Sequence, residues 1–300
     1  MKEFILTLLI IALAGTLMAD VHSAAGEYGY KFLNIPVSPA SIAWAGRGIN
    51  YEANQAAWLW QPAIASAYSR KSVSASHSTW IGDTAYTSLV YSFSQRCSHF
   101  GLALINLDYG ELENRDETGA LIGYYNPADI NIRGNYARRV SPNLYLGMNL
   151  GVIYEKLDTA SSLGLSTDLG GSWLPPLHDS KLSVALRNLG FSNKTESENI
   201  KLPLSMDLDL YKGLALGNQH LGLEASLGKS LDEDVRLTLS TELALLDIIS
   251  LRAGYKFNTD AEGLSAGLGI RFSRFAVDYG FAAFNEGLDD IHSFGLSYHF

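Results

Sequence analysis

Residues 263–267, Gly-Leu-Ser-Ala-Gly, fit the letter of G-x-S-x-G, the motif that exposes a serine nucleophile in many hydrolases. That chemistry needs a sharp strand-to-helix elbow and a base within reach. Here Ser265 opens an alternating run with no helix pattern after it. His77 and His299 could stand on strand faces as in a barrel lipase, but the sequence shows no partner for either, and solvated or interfacial histidines are expected. Cys97 is the single cysteine, so no internal disulfide can form, and it reads as a small strand or turn residue. Asp207-Leu208-Asp209 offers two carboxylates to a calcium ion; an acidic pair on one strand face is the simpler reading. No metal-ligand spacing occurs. The sequence thus predicts no enzyme, no catalytic residue, no metal and no cofactor.

The elements that would position these residues share one pattern. Ile249, Leu251, Ala253, Tyr255 and Phe257 alternate with Ser250, Arg252, Gly254 and Lys256. The same period of two runs through Leu264 to Phe272, Phe275 to Phe281, and Phe294, Leu296, Tyr298 and Phe300. Such alternation marks strands with one apolar face and one polar face. The 300 residues carry a formal net charge of −9, which gives a nucleic-acid role no electrostatic support. Mean hydropathy is +0.04, as suits either a soluble protein or a membrane barrel whose strands are half polar. After residue 20 there is no run of about 20 apolar residues, so helical spans are excluded. Residues 1–25 have the basic start, apolar stretch and small residues of a secretory signal peptide, cut after Ala19 or Ala25. No cysteine stands there for lipid attachment.

From residue 72 the strands recur: 72–81, 84–93, 98–109, 128–140, 143–155, 163–173, 181–189, 203–212, 219–228, 234–243, 248–257, 263–272, 274–282 and 292–300. The run 98–109 fits least well, being apolar on both faces. Long polar links, such as the acidic 110–127 and the polar 190–202, tend to fall at odd positions in the series. Tight links, such as Ser141-Pro142 and Ser273-Arg274, fall at even positions. An up-and-down barrel puts each class at its own end, and outer-membrane barrels have this asymmetry. The expected fold is all-β: a transmembrane antiparallel up-and-down β-barrel of about 14 strands, spanning 71–300, in the bacterial outer membrane. Tyr91, Phe93, Tyr154, Trp173, Tyr211, Tyr255 and Phe257 are expected in interfacial girdles. The alternating end Phe294, Leu296, Tyr298, Phe300 resembles the signal read by the barrel-assembly machinery. Outer-membrane lipid and that machinery are the expected partners.

The polar face becomes the lumen. Asp168, Arg187, Asp207, Asp209, Glu224, Arg252, Arg271 and Asp278 are expected there, along with Arg133, Arg236, Glu242 and Lys256, as paired charges. Residues 26–70 have no period of two and mix prolines, small residues and aromatics. They are expected to form short helices and turns that fill the lumen as a plug or hatch. Phe32, Leu33, Trp44, Gly46, Trp58, Trp60, Gln61 and Pro62 carry that role, and any path for a hydrophobic ligand would run along the segment's aromatics.

Several segments together resemble the PorV/PorQ family of outer-membrane proteins, a branch of the FadL-like fourteen-stranded barrels. Residues 30–38, YKFLNIPVS, resemble the family's opening, and 43–48, AWAGRG, its small-residue segment. Residues 58–63, WLWQPA, resemble its hatch motif, with Gln61 in place of the usual asparagine. DYG at 108–110 followed by DETG at 116–119 resembles its third loop, on the PorQ side. NYAR at 135–138, LRNLG at 186–190, LRAGY at 251–255 and DYGF at 278–281 follow in order. The resemblance implies a role in secretion or surface attachment of proteins, of the type IX kind, with secretion-system proteins as partners. The alternative is FadL-like passive transport of small hydrophobic molecules.

Overall fold

Strands with one apolar face and unpaired backbone edges can cross hydrocarbon only by closing on themselves. The computed structural model describes residues 26–50, 54–68, 71–158, 160–195, 198–285 and 287–300. The expected signal peptide, 1–25, lies outside the described residues, as do 51–53 and 69–70 of the expected plug. Fourteen antiparallel strands form one closed barrel in which each pairs with its neighbours in sequence. The first seven are β1 (Lys71–Thr79), β2 (Ala85–Gln95), β3 (Ser98–Asp108), β4 (Ala128–Ser141), β5 (Leu144–Lys156), β6 (Ser161–Trp173) and β7 (Ser180–Ser192). The others are β8 (Ser205–Leu216), β9 (Gln219–Ser230), β10 (Arg236–Leu245), β11 (Ile249–Phe257), β12 (Glu262–Phe272), β13 (Phe275–Phe284) and β14 (Ile291–His299). β14 closes on β1, with Val73 opposite Tyr298 and Ala75 opposite Leu296, so no edge remains open.

The tight links 96–97, 142–143, 217–218 and 273–274 share one end of the barrel. Arg96, Gly217 and Ser273 have left-handed backbone there, as the shortest hairpin turns require. Cys97 is exposed in one of these turns. At the opposite end, two of the long links contain structure of their own. Leu112–Arg115 pairs with Leu121–Tyr125, and Lys194–Thr195 pairs with Glu198–Asn199. The run Leu121-Ile122-Gly123-Tyr124-Tyr125 has β-forming residues that the neighbouring acids obscure. Asp116 closes that hairpin's turn by accepting hydrogen bonds from Thr118 Oγ1, Thr118 N and Ala120 N. The Thr118 hydroxyl and then the backbone donors hold its carboxyl below the usual range.

The outward face is apolar all round. Leu102, Leu150 and Leu296 are each more than half exposed. A continuous belt of this kind suits hydrocarbon and would aggregate in water. Aromatic clusters lie along it: Phe93 stacks on Phe100 at 5.1 Å, and Tyr298 packs between Phe275 and Phe300, each at 5.0 Å. Tyr211 departs from the expected girdle. It shares the parity of Asp207 and Asp209 on β8, so it points inward and is buried.

β7 continues past its expected end through a bulge. Thr167 pairs with Leu189 and Leu169 with Leu186, so Asp168 faces both Arg187 and Asn188. Asn188 takes the left-handed conformation (φ 58°) that asparagine tolerates. Both residues consequently turn inward.

Leu268→Arg or Leu296→Arg puts a charge on the apolar belt at a cost of roughly 2–4 kcal/mol near mid-membrane. Each should abolish the heat-modifiable migration of the folded barrel in native-like gels. Ser297→Ala, on the inward face, should leave it unchanged.

Candidate functional site

A fourteen-stranded barrel is wider than its own inward side chains can fill. Here the N-terminal segment occupies the interior. It forms a 3-10 turn at Lys31–Asn34, helix α1 at Pro39–Ala43, and 3-10 turns at Ala57–Leu59 and Ile64–Ala67. Ser38 caps α1 by accepting from Ser41 N at 3.1 Å, and Pro39 sits at its first position, where a missing N–H costs nothing. Gly46, with φ 83°, takes the chain out of the helix.

Glycines on the wall mark where the segment lies. A Cβ at Gly280 would come within 2.3 Å of the Pro39 carbonyl oxygen, and one at Gly267 within 2.4 Å of Ala43 Cβ. These two glycines are paired across β12 and β13, so they make a trough for α1. On the opposite wall, a Cβ at Gly147 would meet the Pro62 carbonyl oxygen at 2.3 Å, and one at Gly170 would meet Pro62 Cδ at 2.8 Å. The G-x-S-x-G run is explained by the first trough. Gly267 admits α1, while Ser265 accepts from Ala45 N at 3.0 Å and donates to the Ala43 carbonyl at 3.1 Å. Ser265 is an anchor for the end of the helix.

Charges on β8 and β9 take hold of the segment's middle. Arg47 Nη2 donates to Asp207 Oδ1 at 2.5 Å, and Arg187 Nε donates to Asp207 Oδ2 at 2.8 Å. The Trp60 ring carries Arg187 at 4.0 Å and Arg47 at 5.4 Å from its centroid. Gly48 N and Ile49 N donate to the two oxygens of Glu224 at 3.1 and 3.0 Å. Gln61 Nε2 donates to Asp209 Oδ2 at 2.9 Å. The Gln61 amide is thus long enough to reach a wall carboxylate. Asn135 Nδ2 donates to the Pro62 carbonyl at 3.0 Å and Asn149 Nδ2 to the Trp58 carbonyl at 3.1 Å. Asp168 organises the wall beneath them, accepting from Arg133, Asn149 and Asn188 N. Farther round, Arg252 bridges Glu242 at 2.7 Å and Asp278 at 2.5 Å. Arg271 lines a vestibule beside them.

The structure separates the aromatics that the sequence groups together. Phe32, Leu33 and Trp58 join one apolar cluster with Tyr86, Val90, Ala103, Ile105 and Leu107. This accounts for the doubly apolar β3: its outward side chains form part of the belt, and its inward ones meet the segment. Trp44 lies elsewhere, donating to the Thr241 carbonyl at 3.2 Å, and Trp60 belongs to the arginine stack. Phe294 and Leu296 are exposed on the belt, and Phe300 N donates to the Lys71 carbonyl at the β1–β14 seam. Sequence reasoning missed His99, buried against Trp58 and 2.8 Å from Asn135 Oδ1. Its alternation with exposed Phe100 was the available signal. It also missed Lys181, whose ammonium lies 3.9 Å from the Tyr211 ring centroid.

A vestibule opens on each side of the segment. At the long-link end a cavity of about 360 Å³ is lined by Lys31, Asp232, Arg236 and Lys256 and floored by Arg47 and Trp60. At the short-link end a cavity of about 400 Å³ is lined by Asn50, Asp179, His220, Arg252 and His299. Both are polar and charged.

No protein-family model and no curated protein matches the chain. Solved structures do. It is similar to the monoaromatic hydrocarbon channel CymD, with 12% identity and a TM-score of 0.63 over 89% of this chain and 98% of that one. It is similar to the Pseudomonas putida toluene transporter TodX, with 10% identity and a TM-score of 0.65 over the same shares. A Pseudomonas aeruginosa FadL homologue matches with 13% identity and a TM-score of 0.56, over 88% of this chain and 98% of that one. At these identities the likeness is one of fold: the chain has the fourteen-stranded barrel of FadL-like outer-membrane proteins.

Gly280→Val should press on Pro39 and destabilise the barrel by about 1–3 kcal/mol. Limited proteolysis should show faster cleavage within residues 26–70 of the variant. Asp207→Ala leaves two buried guanidiniums without their shared carboxylate, at a cost of roughly 3–5 kcal/mol. Its urea midpoint should fall further than that of Ser265→Ala, which removes only neutral hydrogen bonds.

Proposed function

We propose that this chain is a bacterial outer-membrane channel for small apolar molecules, gated by residues 26–70. The observation that carries this reading is the apolar seam between the N-terminal segment and the inner faces of β2 and β3. The rest of the segment's anchoring is polar: Asp207, Asp209, Glu224, Asn135 and Asn149 hold it by hydrogen bonds and charge. An apolar solute passing the charged centre would have to part the buried Arg47–Asp207–Arg187 contact, whereas the seam is mainly apolar and aromatic, its polar contacts being neutral hydrogen bonds such as Trp58 Nε1 to Ser92 Oγ and Ser88 Oγ to the Val37 carbonyl. The fold's likeness to a hydrocarbon channel and a toluene transporter supports the same reading. The expected signal peptide and the apolar belt support residence in the outer membrane.

The secretion or attachment role implied by the PorV/PorQ resemblance is the second reading. One observation favours it: the hairpin at the long-link end exposes Ile122 by 63% and Tyr124 by 57%, beyond the barrel wall. The two readings place function in different parts of the molecule.

Proteoliposomes containing the full chain should take up radiolabelled toluene faster than protein-free vesicles. Deletion of residues 26–70 should add leakage of a polar dye. Deletion of 112–125 should leave toluene uptake intact. If uptake matches that of protein-free vesicles, and deletion of 112–125 abolishes co-purification of surface proteins, the second reading replaces the first.

A further inference from the structure

A polar column on the wall of β8, β9, β10 and β11 is left unused by the apolar route. Its inward residues stack in four rows fixed by strand register. The first is Asp207, Gly228 and Arg236; the second is Asp209, Ser226, Thr238 and Lys256. The third is Tyr211, Glu224, Ser240 and Gly254; the fourth is Gly213, Gly222, Glu242 and Arg252. Arg236 and Lys256 line the long-link vestibule, and Tyr211, Glu242 and Arg252 line the short-link one. The rows therefore run from one vestibule to the other beside the segment.

Asp207, Glu224, Glu242 and Arg252 of these rows are paired, but four other buried polar atoms lack protein partners. Asp209 Oδ1, Thr238 Oγ1, Ser240 Oγ and Tyr211 OH have no hydrogen-bond partner among the described residues. All four side chains are more than nine-tenths buried. Gln61 Oε1 and Trp60 Nε1, on the segment side, are unpartnered as well. Buried hydroxyls and carboxylate oxygens rarely go unsatisfied, and those without protein partners bind water. Successive same-face residues on a strand are roughly 7 Å apart, wider than the roughly 5.6 Å that one water spans with two hydrogen bonds of about 2.8 Å, and two waters in line fill the gap. The spacing suits a single file.

We infer that a file of water molecules runs along the inner wall of β8 to β11 and conducts water between the two vestibules. Thr238 and Ser240 supply its middle steps on β10, and Asp209 and Tyr211 stand level with them on β8, two strands away across Ser226 and Glu224 of β9. The file lies apart from the apolar seam at β2 and β3, so water conduction does not rest on the apolar-channel reading.

Stopped-flow light scattering on reconstituted vesicles tests this. Wild-type vesicles should shrink faster under an osmotic step than protein-free vesicles. Thr238→Val with Ser240→Ala should slow the protein-dependent rate about five-fold, the factor set by the net worth of one hydrogen bond. Thr238→Ser, which keeps the hydroxyl, should retain it. Heat-modifiable migration verifies that each variant has folded. A second measurement uses Ser240→Cys in a Cys97→Ser background, where a small methanethiosulfonate should block the flow. Wild-type vesicles no faster than protein-free ones, or an unchanged rate after the double substitution or the thiol block, would overturn the inference. Toluene uptake measured on the same vesicles should be unaffected by Thr238→Val with Ser240→Ala, which separates failure of one pathway from failure of the other.

Discussion

Asp207 is the carboxylate on which the interior depends. It neutralises Arg47 from the N-terminal segment and Arg187 from the wall, and Trp60 lies against both guanidiniums. Charges in a low-dielectric interior persist only when paired and hydrogen-bonded. This one group therefore ties the segment to the barrel and sets the depth at which it sits. Glu224, one strand over, extends the hold by taking the next two backbone N–H groups. Without these partners, residues 47–49 would leave buried donors unmet.

Barrel width is the second constraint. Fourteen strands close every backbone edge but enclose more space than their side chains fill. The chain solves this with its own small-residue segment and with glycines cut into opposite walls. Gly267 and Gly280 receive α1, and Gly147 and Gly170 receive Pro62. Segment and wall are matched in shape, so neither can be altered at these points without moving the other.

The interior is divided by polarity. β2 and β3 present Tyr86, Val90, Ala103, Ile105 and Leu107 to Phe32, Leu33 and Trp58, with Ser88 and Ser92 as neutral hydrogen-bond partners among them. β8 to β11 present carboxylates, hydroxyls and cations. The segment lies between two charged vestibules.

Period-two alternation, set against a signal-like start and sorted links, was enough to place the strands, close the barrel and orient its faces. Inside–outside parity is local information, carried by each strand on its own. Asp168, Arg187, Asp207, Asp209, Glu224, Arg252, Arg271 and Asp278 are found on the inward face for that reason. What parity could not convey is which inward groups meet across the lumen. The Arg47–Asp207–Arg187 contact joins residues far apart in the chain, and the bulge that turns both Arg187 and Asn188 inward breaks the very alternation being read. Tyr211 was misplaced because its aromatic type outweighed its parity. Ser265 matched a hydrolase motif because close packing and nucleophile elbows both call for small residues. Only the tertiary structure shows the helix that Ser265 and its glycine neighbour accommodate.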